Sequence, residues 1–187
     1  MNLFYEKYPD TIQVNSNEIP IVTDFREYIR LLDMLNDDEL KSSEKTYYLS
    51  QYFLEQPDDF LEAMEQLTDF ILMKIDNKES VSKAAGEEYK KEVYSFEYDY
   101  PFIFSAFLSE YGINLRTVSY MHWWEFRNLF DGLSGNTEIK QRIMYRSIDL
   151  NEIKDKNERK RIQKIQNSIR LPGNRMTDYD IGDAFGW

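Results

Sequence analysis

Apolar residues crowd almost every position between Pro101 and Tyr111: Phe102, Ile103, Phe104, Ala106, Phe107, Leu108 and Tyr111. A helix that is apolar all round is normally a buried one, so the pattern predicts a buried helix. Asp99 stands where an N-cap is expected. Pro101 suits the first turn, where its missing N–H costs nothing, and Gly112 can take positive φ and end the helix. Ile113 to Val118 reads as a short connection. A second helix is predicted from about Tyr120 to Asp131, ending at Gly132. In it Trp123, Phe126, Phe130 and Leu133 recur at spacings of three and four and share one face. Tyr120 and Trp124 lie off that face and need a second surface, in this chain or in a partner. The stretch from Phe96 to Leu133 is therefore read as the centre of the core.

Before this centre the pattern changes. Thr11 to Val14 and Glu18 to Val22 are short β-rich runs joined by Asn15, Ser16 and Asn17, and together they predict a hairpin. Two strands alone are marginal in water, so the hairpin must lean on helices or gain another strand. Thr23 reads as the N-cap of a helix from Asp24 to about Asn36, with a stripe of Phe25, Tyr28, Ile29, Leu32 and Leu35. Ser43 reads as the cap of a helix from Glu44 to Leu54, unusually aromatic at Tyr47, Tyr48, Tyr52 and Phe53. Pro57 opens a longer helix, Asp58 to about Ile75, with Phe60, Met64, Leu67, Ile71 and Ile75 inward. Residues 76–86 read as a mobile linker, and residues 87–96 suit either a helix or an extended connection.

After the centre, Asn136 reads as the cap of a helix from Thr137 to about Ser147, with Ile139, Ile143 and Met144 inward. Leu150 and Ile153 suggest a short turn. A basic helix is predicted from Lys156 to Arg170, with a thin apolar seam of Ile162, Ile165 and Ile169 that docks lightly or pairs with another helix. The last residues read as a flexible tail in which Tyr179, Ile181, Phe185 and Trp187 can act as a docking motif. At 187 residues the chain fits one domain. The expected fold is mainly α: a multi-helix single domain over residues 1–172 with a short N-terminal β-hairpin, then a C-terminal tail at 173–187.

Charge and composition narrow the function. The net charge is −11, which argues against nucleic-acid binding through bulk charge and keeps copies apart in solution. The charge is uneven: between Lys140 and Arg175 eleven Lys and Arg face four Asp and Glu. This segregation reads as internal complementarity, an acidic partner surface or head-to-tail self-association. There is no cysteine, so disulfide scaffolds, thiolate metal sites and thiol catalysis are excluded. The start, MNLFYEKYPD, has no basic stretch leading into an apolar run, and no apolar run nears the roughly 20 residues that span a bilayer. A cytoplasmic protein without a membrane partner is expected.

No catalytic motif stands out. The sole histidine, His122, sits beside Trp123 and Trp124 and reads as a packed core residue rather than a base. Neither metal-binding nor phosphate-binding spacings occur. Paired acids at Asp37–Asp38 and Asp58–Asp59 read as solvated or capping residues. No enzyme activity and no cofactor are expected.

Several runs carry a resemblance. They are TDFR from Thr23 to Arg26, Asp99 with the later FIFSAFLSEYGINL, MHWWEFRNLFDGL from Met121 to Leu133, IMYR from Ile143 to Arg146, and the basic helix ending at Leu171. Over roughly residues 10 to 172 the chain resembles a family of tail-region proteins of siphophages and prophages of Gram-positive bacteria. The matching positions are Asp24, Phe25, Arg26, Asp99, Tyr111, His122, Trp123, Trp124, Phe126 and Arg146. The resemblance implies a non-enzymatic tail assembly factor in the host bacterial cytoplasm, a chaperone for the tape-measure protein and the tail-tube protein. It carries no catalytic assignment. The residues put forward for partner binding are Tyr120, His122, Trp123, Trp124, Arg127, Arg146, Arg161 and Trp187. The rival readings are a structural tail or connector component of the virion, and a nucleic-acid-associated regulator using the basic helix.

Overall fold

A computed structural model describes residues 5–35, 37, 39–74 and 93–172. The chain is mainly helical with one two-stranded antiparallel hairpin, as the sequence pattern predicts. It groups into two compact units. One comprises Met1–Glu88 with Ile113–Gly132, the other Tyr89–Gly112 with Leu133–Trp187.

The first unit begins with strands β1 (Thr11–Val14) and β2 (Asn17–Pro20). Val14 pairs with Asn17, so the turn is only Asn15 and Ser16. Asn15 takes φ 54°, a left-handed conformation that asparagine tolerates better than most residues. Ile12, Val14 and Ile19 are buried. The hairpin finds both kinds of support. Ile21 pairs with Phe53, and Leu54 N–H donates to Pro20 O at 2.8 Å, which lengthens the sheet edge. Helix α3 (Phe60–Ile71) packs on β1, and its Glu62 carboxylate accepts the Asn15 N–H at 2.9 Å.

Helix α1 runs Phe25–Leu35. Its cap is Asp24 rather than Thr23, the Asp24 carboxylate accepting Arg26 N–H at 2.9 Å. Thr23 is occupied elsewhere: its carbonyl accepts Trp123 N–H at 2.8 Å while Phe25 N–H donates to Met121 O at 3.0 Å. That pairing also explains why helix α5 spans Trp123–Gly132 instead of starting at Tyr120. Residues 121 and 122 are held extended against residues 23 and 24. Helix α2 is Ser42–Ser50, shorter than expected, because Tyr52 to Leu54 bond to the end of the hairpin. Its start is tied by Lys41 N–H donating to the Glu44 carboxylate at 2.9 Å. Asp59 caps α3 by accepting from Leu61 and Glu62 N–H. Of the expected stripe Leu67 is buried, together with Ala63 and Phe70, while Phe60, Met64 and Ile71 are half-buried, so the inward face is turned from the expected one. Ile75, the linker at 76–86 and most of 87–96 lie outside the described residues.

The core of this unit is aromatic. Phe25 stacks on Phe126 at 4.7 Å between centroids, Tyr28 on Trp123 at 5.3 Å, and Tyr28 meets Phe70 at 5.4 Å. Offset-stacked and tilted rings of this kind add to the free energy of burial. Tyr28 donates its hydroxyl to Val22 O at 2.6 Å, and burial pushes its phenol pKa upward.

The second unit holds α4 (Tyr100–Tyr111), α6 (Glu138–Ser147), a 3₁₀ turn (Leu150–Glu152) and α7 (Lys156–Ser168). Gly112 ends α4 at φ 68°, as its place in the sequence predicts. The expectation for α4 itself is corrected. It buries Ile103, Ala106 and Phe107, while Tyr100 and Leu108 remain exposed and Phe104 half-buried. Its neighbour supplies one wall: α6 buries Ile139 and lays the Arg142 guanidinium 3.7 Å over the Phe102 ring. Thr137, not Asn136, occupies the N-cap position of α6, and Met144, expected inward, is exposed. Helix α7 is capped by Asp155, which accepts Glu158 N–H at 2.7 Å. Of its expected seam only Ile162 is fully buried; Ile165 and Ile169 are half-buried, and Gln163 takes the adjacent inward position. The Gln166 amide donates to Tyr145 and Ile148 carbonyls at 2.8 Å, fastening α7 to the end of α6. The tail at 173–187, with its proposed motif, lies outside the described residues.

Candidate functional site

The matching positions other than Tyr111, whose ring meets Phe107 edge-on within α4, gather around two constructions, one in each unit. The first is centred on His122. Its Nδ1 accepts the Trp124 N–H at 3.0 Å, so the ring hydrogen sits on Nε2, which donates to Pro9 O at 3.0 Å. His122 thereby acts as the N-cap of α5, satisfying one of the free amides of the first turn. Tyr8 stacks on the imidazole at 4.9 Å and 12°, and Phe70 meets it edge-on at 5.8 Å. Burial draws the His122 pKa below its usual value; the Pro9 carbonyl and the Glu125 and Asp10 carboxylates oppose that draw.

The two indoles beside it point the same way. Trp123 Nε1 donates to Ile71 O at 3.1 Å and Trp124 Nε1 to Phe70 O at 2.8 Å. These carbonyls belong to the last turn of α3, where a helix leaves acceptors without intrahelical partners. Consecutive tryptophans therefore close the end of α3 while both rings stay buried. Trp124, off the predicted inward face of its helix, finds its second surface within this unit, against Tyr8 and Phe70. Arg127 is half-buried, its guanidinium 5.5 Å from the Trp123 ring. Tyr120 is exposed and shares a 2.8 Å hydrogen bond with Thr23 Oγ1. Arg26, on α1, bonds to Asp24 and to the Val118 carbonyl, which holds the connection before α5.

The second construction joins Asp99 and Arg146. Asp99 occupies the N-cap position of α4, but its carboxylate accepts no amide of that helix. Its carboxylate faces Arg146 in two parallel bonds of 2.6 and 3.0 Å and accepts Ser95 N–H at 3.1 Å. Arg146 also donates to Val93 O at 3.1 Å and to Ile169 O at 2.7 Å. Both residues are buried. A charge taken from water is tolerated only when it is paired and its donors satisfied, as here.

Among the residues put forward for partner binding, His122, Trp123, Trp124 and Arg146 are thus interior, and Tyr120 and Arg161 are at the surface. Arg161 pairs with Glu158 at 2.7 Å, which holds the Glu158 carboxyl below its usual range. Tyr120 to Arg127 are together in the first unit, Arg146 and Arg161 in the second, and Trp187 is outside the described residues. Sequence reasoning missed Tyr8 and Pro9, which no periodicity ties to His122 across 113 positions. It also missed the outer face of α4. There Tyr100, Phe104 and Leu108 follow at spacings of four, and the Tyr100 and Phe104 rings stack at 5.8 Å. Tyr100 is 42% and Leu108 45% exposed.

Among the described residues no cluster of His, Asp and Glu has the arrangement of a metal site, and no helix is long and apolar enough to cross a membrane. A family model described as Bacteriophage Gp15 protein matches residues 4–171. No curated protein and no solved structure matches the chain.

Proposed function

The chain belongs to the bacteriophage Gp15 protein family, and from that premise we propose a non-enzymatic assembly factor for siphophage tails in Gram-positive hosts. In this reading it works in the bacterial cytoplasm as a chaperone that binds the tape-measure protein and recruits tail-tube subunits. Family membership supports the coarser part, a phage structural or assembly-related protein. The observation that carries the finer part is the outward stripe of α4: Tyr100, Phe104 and Leu108 on one face.

A helix with an apolar ridge left open to water is suited to a partner helix, because such a partner buries its own stripe in return. Covering the exposed parts of Tyr100 and Leu108 contributes roughly 1–2 kcal/mol each. That is enough for a specific contact and small enough for release, as a factor that leaves after assembly requires. The acidic body keeps the open surface soluble by repulsion between copies.

The test is co-expression with the tape-measure protein of the same phage, followed by affinity capture and light scattering. The expected result is a soluble complex that forms with the wild-type chain and is lost in the Tyr100→Ser/Leu108→Ser variant. Insoluble tape-measure protein beside a chain that elutes alone overturns the reading. Stoichiometric recovery of the chain from purified particles would instead establish the rival role, a structural tail or connector subunit.

A further inference from the structure

Among the described residues, the hydrogen bonds and ring contacts of residues 5–9 converge on His122 and its neighbour Trp124. The Pro9 carbonyl accepts His122 Nε2–H at 3.0 Å. The Tyr8 ring stacks on the imidazole at 4.9 Å and meets Trp124 edge-on at 6.4 Å. Tyr5, Glu6 and Lys7 are exposed, and neither Glu6 nor Lys7 forms an ion pair among the described residues. The next tie along the chain is Asp10 O, which accepts Ile21 N–H at 3.0 Å and so belongs to the hairpin. Residues 5–9 therefore form a strap ahead of the hairpin, fastened through one imidazole.

That imidazole is held on its other side as well. Nδ1 accepts the Trp124 N–H at 3.0 Å, which requires Nδ1 to be bare. The bare nitrogen is also the one that takes up a proton. A proton there meets the Trp124 N–H donor to donor, and the ring leaves its seat. The Tyr8 stack and the Pro9 bond are made to the same ring and are lost with it. Two carboxylates act on the imidazole, Glu125 from the first turn of α5 and Asp10 from the end of the strap, and both favour its charged form. From α3 the uncharged Phe70 ring faces it. Asp24, bridged to His122 through the backbone, has its carboxylate engaged by Arg26 at 3.1 Å. Burial outweighs the two carboxylates, so the ring in its seat holds a proton less readily than a free imidazole.

We propose that His122 is a proton-operated latch: the neutral imidazole holds the strap of residues 5–9 in place, and the imidazolium releases it while the hairpin and α5 stay folded. The other bonds of the region make the separation possible, because none of them uses the imidazole. Phe25 N–H still reaches Met121 O and Trp123 N–H still reaches Thr23 O. Both indoles keep the carbonyls at the end of α3, and the hairpin keeps its own ladder. Opening uncovers the face of the ring on which Tyr8 stacks and the side of Trp124 that Tyr8 meets. The sign follows from linkage. The latched ring has the lower pKa, so protons favour the open form. Opening increases as pH falls below the usual 6.5 and levels off below the latched pKa, by about tenfold for each unit between the two.

The experiment is a pH titration of the full chain by NMR, and the composition makes it clean. His122 is the sole histidine, so its ring nitrogens are read without overlap, and with no native cysteine a Lys7→Cys variant carries a trifluoromethyl label at one place in the strap. Near neutral pH the ring is expected to show the Nε2–H tautomer and the label the broad signal of a held segment. As pH falls below 6.5 the imidazole is expected to gain its proton and the label to sharpen with the same midpoint, while far-UV circular dichroism keeps its helical signal. In Lys7→Cys/His122→Asn the label is expected to lose this pH dependence. Tyr8→Ala removes cover from the ring, and by reciprocity its imidazole is expected to titrate closer to the ordinary value. A label unchanged across the His122 titration overturns the proposal. So does loss of the helical signal at or before that midpoint, or a label that follows pH equally in the His122→Asn background. None of these readouts involves the tape-measure protein, so they stand apart from the test of the α4 stripe.

Discussion

Asp99 and Arg146 lie 47 positions apart and meet inside the second unit as two parallel hydrogen bonds, 2.6 and 3.0 Å long. The guanidinium then reaches the carbonyls of Val93 and Ile169, so one buried group fixes the approach to α4, the end of α6 and the end of α7. Removing one partner strands the other in a dry interior. Arg146→Met is expected to cost about 3–5 kcal/mol, measured by urea denaturation of the full chain. The double variant Asp99→Leu/Arg146→Met is expected to recover about 1–4 kcal/mol of that loss, because no charge is then left buried. A double variant no more stable than Arg146→Met would refute the account of a stranded buried charge.

The two indoles that close α3 are not equivalent. The Phe70 carbonyl, which accepts from Trp124, also accepts Met73 N–H at 3.1 Å. The Ile71 carbonyl has no second donor among the described residues. Trp123→Phe is therefore expected to cost about 1–3 kcal/mol and Trp124→Phe about 0.5–1.5 kcal/mol. Thermal unfolding followed by circular dichroism ranks them, and the reverse order would refute this account of the helix end.

His122 makes stability depend on pH. Its folded pKa is lowered, chiefly by burial, so the unfolded chain takes up the proton first as pH falls below the usual 6.5. Stability is then full above 6.5, declines as pH falls from 6.5 to the folded pKa and levels off below it. The geometry gives the reason: a proton on Nδ1 replaces the acceptor that caps Trp124 N–H. His122→Asn keeps a capping oxygen without the titration. The wild-type urea midpoint, taken relative to this variant at a series of pH values, is expected to fall through that window. A difference that does not vary with pH would refute it.

Phe107 and Leu108 are neighbours with opposite fates. Phe107 is fully buried, and Phe107→Ala is expected to cost about 3–5 kcal/mol. Leu108 is on the open stripe, and Leu108→Ser is expected to change stability by no more than about 0.5 kcal/mol. Denaturant titration of both variants checks the pair. A large loss at Leu108 would mean that its side chain already has a partner within the chain.

Much of the architecture is written in the sequence. Gly112, with no Cβ, ends α4 at positive φ, the Asp59 carboxylate accepts the first amides of α3, and the alternation of Thr11 to Val14 marks a strand. The inward row of Trp123, Phe126, Phe130 and Leu133 follows from spacing alone, and all four are buried. Such features depend on a few adjacent residues, so local pattern suffices. The family resemblance was legible in the same runs, and the match over residues 4–171 bears out a phage family.

What tertiary structure decided is which apolar residues found cover. α4 is apolar on every side, so its pattern contains no direction; tertiary packing buried Ile103, Ala106 and Phe107 and left Tyr100 and Leu108 outside. The Phe70 and Ile71 carbonyls at the end of α3 accept from both indoles, which drew Trp124 inward against its helical phase. His122 became a cap because Pro9 and Trp124 reach it from two sides, and Asp99 gave up capping because Arg146 offered a charge. Periodicity reports the faces of one element, whereas burial is settled by what a distant element brings to each face.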